Sequence, residues 1–255
     1  MRYSSIIVPK TAKVSVSRST NLGVADYDLD ELYSPDTAFW KSKVLDLASP
    51  KYSPNKTYIF DRSRYNNHGT IVGATWVRLP SGLWGLSFDG IDDYITGAAK
   101  VDVSAGFTCL MWWKRSGDSG GVTNSDYHIL ISALNGYATY GNRLLVNKAG
   151  TSLLGQAHAG GLLKTDVSVI AAAPWQQVGF MWDTAKVYTI VNGVLSAGTA
   201  AVGALSAGAA VWIMGWLDAN HFIANGLIGL PLVTGVMTAA QILNFYNQTR
   251  HLFGV

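Results

Sequence analysis

The chain has 255 residues, 49% of them hydrophobic and only 14% charged, with a formal net charge of +3. So low a charged fraction suits a large buried core and an apolar surface that packs against other chains. Dispersed Lys and Arg residues, with no basic run and no zinc-ligand spacing, exclude a recognisable nucleic-acid module, and a single cysteine, Cys109, excludes an intrachain disulfide framework.

Residues 1 to 57 read as an arm. Ile6 to Val8 and Val14 to Val16 suit short strands, and an acidic patch of Asp26, Asp28, Asp30 and Glu31 follows. Thr37 to Leu47 suits one or two helical turns, broken by Pro50 and Pro54. An arm of this length cannot build a core of its own. It is therefore expected to pack on the rest of its own chain or on a neighbouring subunit. The first residues lack the apolar region of a secretory signal, and no window reaches the roughly 18 apolar residues of a membrane span.

From Tyr58 onward the β pattern dominates. The run from Asp61 to Thr70 is turn-forming, since Asp, Ser and Asn side chains cap their own backbone. Ile71 to Trp76, Leu86 to Phe88 and Tyr94 to Thr96 read as strands. Phe107 to Trp113 is apolar on both faces and reads as a central strand, with Cys109 as a small packing residue. Ile129 to Leu134, Arg143 to Asn147, Ser152 to Leu154, Gln177 to Trp182, Val187 to Val191 and Val211 to Met214 continue the pattern. Asn192-Gly193 is a strong hairpin signal. The one clear helix is short and late: Thr238 and Gln241 have capping-box spacing, and Ile242, Phe245 and Tyr246 share a face.

The succession DRSRYNNHGT, GATWV, GLWGLSFDGIDDYI and FTCLMWWKR resembles the first half of a laminin-G-like, concanavalin-A-like jelly roll. Pro174 to Val178, Val187 to Gly193, Asn225 to Gly229 and Thr238 to Tyr246 resemble its second half. The resemblance covers roughly Tyr58 to Asn247. It implies an all-β, antiparallel two-sheet jelly-roll β-sandwich over residues 58–255, with an N-terminal arm and one short C-terminal helix. Comparable arm-plus-jelly-roll chains occur among phage and viral structural proteins.

The same resemblance reaches glucanases, whose chemistry normally needs two carboxyl groups across the scissile bond. Here the only glutamate, Glu31, lies in the arm, and Asp89, Asp92 and Asp93 lie inside the family's turn, so no catalytic residue is assigned and no enzyme is expected. In related domains the turn matching Asp61 to Gly69 can hold calcium. Asp61 is the weak calcium candidate here, against its reading as the cap of its own turn. No other cofactor is expected.

Glycan or partner binding would use exposed aromatic platforms with polar groups beside them. Trp216, Asp218, Asn220 and His221 form the best loop candidate, joined by Tyr137 and Tyr140. Trp112, Trp113, Trp175, Trp182 and Trp212 are assigned to strands and core. The leading expectation is a non-enzymatic structural protein that pairs with copies of itself or with other components of an assembly such as a virion, made in the cytoplasm and released. The alternative is a carbohydrate-binding or adhesion module that meets surface glycans.

Overall fold

The structure is a computed structural model describing residues 43–47, 57–61, 63, 65–97, 103–116, 127–134, 142–147, 149–171, 174–205, 212–218, 221–222 and 226–255. In chain order the strands begin with β1 (Leu45–Asp46), β2 (Tyr58–Ile59), β3 (Gly69–Val72), β4 (Thr75–Arg78), β5 (Trp84–Phe88) and β6 (Tyr94–Gly97). Longer strands follow: β7 (Phe107–Arg115), β8 (Tyr127–Leu134), β9 (Asn142–Asn147), β10 (Ser152–Ala159), β11 (Leu162–Val169), β12 (Gln176–Trp182) and β13 (Lys186–Val191). Then come β14 (Val194–Leu195), β15 (Thr199–Ala200), β16 (Trp212–Met214), β17 (Trp216–Asp218), β18 (His221–Phe222) and β19 (Gly226–Thr234). Helix α1 (Ala239–Thr249) and a 3-10 turn (Arg250–Phe253) close the chain.

The strands form two antiparallel sheets face to face, a jelly-roll sandwich. The first has the order β14-β13-β12-β7-β19-β5-β4, with β1 added on β19 and β15 on β13. The second has the order β11-β10-β9-β8-β16-β6-β3-β2, and β17 and β18 form a separate ribbon. Strand β7 sits at the centre of the first sheet and is buried on both faces from Phe107 to Trp113. Its residues Phe107, Cys109, Met111 and Trp113 enter the core between the sheets. Alternation sends Leu110 and Trp112 the other way.

That outer layer is closed by the C-terminus. Trp112 stacks on Phe253 with ring centroids 4.5 Å apart and on Tyr246 at 5.7 Å, and its indole N–H donates to Thr249 Oγ1 at 3.0 Å. Leu110 meets Ile242 and Phe245 of α1. The helix starts where the capping box is read: Thr238 Oγ1 accepts from the Gln241 amide, and the Gln241 side chain returns to the Thr238 amide. The Asn192-Gly193 hairpin also forms, both residues having positive φ between paired Val191 and Val194.

Two expectations are corrected. Ile71 to Trp76 is not one strand. At Gly73 (φ 76°) the chain leaves β3 in the second sheet and enters β4 in the first. A side chain at 73 would also collide with Asp93. The stretch ending at Leu47 is not helical at its end, for Leu45–Asp46 is a strand paired with Val233 and Leu232 of β19. The reason lies in β19, where Leu230 has φ 46° and the pairing slips between Gly229 and Leu232. Strand β5 pairs only with Gly226 to Ile228, so the edge beyond the bulge accepts β1. The Val44 amide donates to Val233 O at 2.9 Å and the Leu47 amide to Pro231 O at 3.0 Å. Leu45 and Leu47 lie in the main core of the sandwich, so at this point the arm packs on its own chain.

Truncating a fully buried leucine leaves a cavity as well as lost burial. Leu45→Ala is expected to cost about 2–5 kcal/mol, read from the midpoint of a urea titration. A change below ~0.5 kcal/mol would place Leu45 outside the core.

Candidate functional site

Helix α1 and the C-terminal turn pack on the outer face of the first sheet around Leu110 and Trp112, and the candidate site is built on the outer face of the second sheet. Strands β9, β10 and β11 form its end. Leu144, Val146, Leu153, Ala157 and Ala159 point into the core, so the alternate residues point outward. Strand β11 exists because Gly160 (φ 58°) and Gly161 (φ 77°) make a two-residue turn between paired Ala159 and Leu162.

Register aligns the outward side chains in rows. Arg143 stands opposite Gln156, and Gln156 opposite Thr165. Arg143 Nε donates to Gln156 Oε1, and Gln156 Nε2 donates to Thr165 Oγ1 at 3.0 Å. The result is a half-buried polar ladder across three strands, with the amide of Gln156 held at both ends. His158, half-buried, flanks it. The next row is apolar. Ile129, Leu145 and Leu154 form a small buried cluster of their own, and Val167 continues the row at the edge, 56% exposed. Val169, one row further, is 82% exposed. A guanidinium and an oriented amide beside apolar methyls can bond hydroxyls and pack against a C–H face at once.

On the inner side of β11 stands Asp166, buried. Its Oδ2 accepts from the Thr189 amide (2.8 Å), Thr189 Oγ1 (2.8 Å) and Ser196 Oγ (2.6 Å), and its Oδ1 from Thr199 Oγ1 (3.0 Å). These bonds tie the edge of the second sheet to β13 of the first. They also hold β11 in place beneath the ladder.

Of the residues singled out in sequence, Trp216 and Asp218 lie on β17 and His221 on β18, where Trp216 pairs with Phe222 and Asp218 with His221. The ribbon packs against β8, the neighbour of β9. Asn220, Tyr137 and Tyr140 lie outside the described residues. Trp112, Trp113, Trp175 and Trp182 are buried, and Trp212 is on β16. The ladder went unseen in sequence. Its three members come from separate segments, and the one usable signal was Gly160-Gly161.

Asp61 is surrounded by donors. Its Oδ1 accepts from the amides of Asp46 (2.8 Å) and Ser63 (2.9 Å), and its Oδ2 from Ser63 Oγ (2.6 Å) and the Asn67 amide (2.7 Å). A carboxylate offers about four lone-pair sites, and these bonds use four. That is a setting for an anion, not for calcium, whose ligands must turn oxygens toward it. Asp89, Asp92 and Asp93 converge within 4.8 Å, but Asp89 Oδ1 accepts from the Ile91 amide and Asp93 Oδ2 from the Asp89 amide, which is turn chemistry. Burial, together with Asp89 and Asp92, raises the Asp93 carboxyl above its ordinary value, against the lowering pull of the Asp89 amide. Burial likewise pushes the Cys109 thiol far above its ordinary range, which makes it inert. Among the described residues no helix is long and apolar enough to cross a membrane.

No family model and no curated protein matches the sequence. Solved structures do match the fold. The receptor binding domain of botulinum neurotoxin D has a TM-score of 0.62 at 14% identity, over 82% of this chain and 53% of that one. The binding domain of Paraclostridial Mosquitocidal Protein 1 has 0.62 at 10%, over 82% and 52%. The receptor binding domain of the C/D mosaic serotype, with tetraethylene glycol bound on its Hcn sub-domain, has 0.60 at 16%, over 82% and 51%. The chain thus spans about half the length of each. At such identities the likeness is one of fold, a β-sandwich.

Removing the Asp61 carboxylate leaves buried donors unpaired, so Asp61→Ala is expected to cost about 3 kcal/mol, while adding calcium leaves the wild-type Tm unchanged. A calcium-dependent rise in Tm that Asp61→Ala abolishes would overturn this assignment. At the acidic turn the sign is opposite to that of a salt-bridged acid. A raised folded pKa favours the fold below the unfolded value and weakens it as pH rises through the folded one. Asp93→Asn should flatten that loss above about pH 4 in Tm scans against pH. An unchanged pH profile would count against the assignment.

Proposed function

We propose that this chain is a non-enzymatic binding module, a laminin-G-like, concanavalin-A-like jelly roll that presents the outer face of its second sheet to surface glycans. The observation that carries the reading is the Arg143–Gln156–Thr165 ladder. Its amide is oriented before any ligand arrives, so little side-chain freedom is lost on binding. The adjoining Val167 and Val169 offer apolar surface for the C–H face of a sugar ring. The named binding domains that share the fold support a binding role over a purely structural one. On this reading the module acts where surface glycans are met, outside a cell or on a particle. The β17–β18 ribbon, with Trp216, Asp218 and His221, is the second element that could touch such a ligand.

A glycan array with the wild-type chain tests the reading. We expect a defined set of glycans to bind, and Arg143→Ala and Gln156→Ala each to weaken binding about tenfold or more with Tm nearly unchanged. If no glycan binds, or if both variants bind like the wild type, the reading fails. A loss confined to Trp216→Ala would move the site to the ribbon.

A further inference from the structure

Strand β11 ends the second sheet with eight residues and no partner strand on its outer side among the described residues. Leu162, Val167 and Val169 are exposed along it. Such an edge is a template for another strand. Its inner face carries a second anomaly. Asp166 is a buried carboxylate that accepts only from hydroxyls and one amide, and among the described residues no cation lies within ion-pair distance of it. Its Oδ1 takes one bond where Oδ2 takes three.

We propose that the edge of β11 pairs with β11 of a second copy, antiparallel, with the two-fold axis through Thr165. One register pairs charge with charge and apolar with apolar at its centre. Thr165 then faces Thr165 of the other copy. Leu163 faces Val167, joining two outward apolar side chains. Lys164 faces Asp166, twice by symmetry, which sets opposite charges across the strand pair on the inner face. Shifting the register by one residue sets Thr165 opposite Asp166 and Lys164 opposite Val167, which loses both charge pairs. Lys on an edge usually discourages pairing; in this register it completes the pairing. The outward row would then run Arg143–Gln156–Thr165 and back through the same residues of the other copy. The interface is isologous, as a closed dimer requires. It extends the binding-face reading by making that face bivalent, yet the pairing itself stands without any glycan.

The test uses the full chain, in which Cys109, the only cysteine, is fully buried and gives no background cross-link. Light scattering across a concentration series should give a dimer. Lys164→Glu places carboxylate against carboxylate twice and should weaken the dimer about tenfold or more, with an unchanged circular dichroism spectrum. Under mild oxidation Thr165→Cys should form a covalent dimer. Leu163→Cys alone should not, but mixed with Val167→Cys it should. A chain that stays monomeric, with a Thr165→Cys thiol that stays reduced, overturns the proposal and leaves the edge to a different chain. A dimer that Lys164→Glu does not weaken, or that cross-links only in another register, overturns it as well. Glycan binding plays no part in these readouts, so their failure and that of the binding reading are distinguishable.

Discussion

Trp112 anchors the layer that covers the first sheet. It projects from the outer face of the central strand β7 and is held between Tyr246 and Phe253, its N–H on Thr249. Each aromatic pair of this kind adds about 0.5–1.5 kcal/mol beyond its burial. The stack fastens α1 and the 3-10 turn onto the first sheet and closes its outer face. The Arg143–Gln156–Thr165 ladder lies instead on the second sheet, at the end formed by β9, β10 and β11. The C-terminal tail thus belongs to the functional argument even though it touches no candidate ligand group.

Three carboxylate positions show how this fold uses acids. Asp61 gathers four donors and joins the chain at Asp46 to the turn at Ser63 and Asn67. Asp166 gathers four donors and ties β11 to β13. Asp93 caps the turn beside β6. At Asp61 and Asp166 both oxygens are occupied by the protein itself, and at Asp93 Oδ2 is. General acid or base work needs a carboxyl aimed at open space across from a second one, and these face amides and hydroxyls instead.

Much of the fold was legible in sequence because its signals are local. Asn192-Gly193 demands positive φ at two successive residues, and Thr238 with Gln241 caps a helix by spacing alone. The apolar run from Phe107 to Trp113 could only be a strand covered on both sides. The Arg143–Gln156–Thr165 ladder was not legible, for a physical reason. Arg143, Gln156 and Thr165 meet through the registers of two hairpins, and register depends on pairing that no single segment encodes. Strand β11, LLKTDVSV, mixes apolar and polar residues because one face is exposed and the other holds Asp166, so it has no clean alternation. Strand β1 was hidden too, since its edge exists only because β19 bulges at Leu230 and Pro231.

On the proposed reading, ligand contact occurs on the outer face of the β9–β11 end. Amide hydrogen exchange on the full chain, with and without a glycan that the array identifies, tests it most directly. Exchange should slow across residues 142–147, 152–159 and 162–169, with the C-terminal helix unchanged. Protection confined to residues 216–222, or to the turns around Asp61 and Asp89, would contradict it.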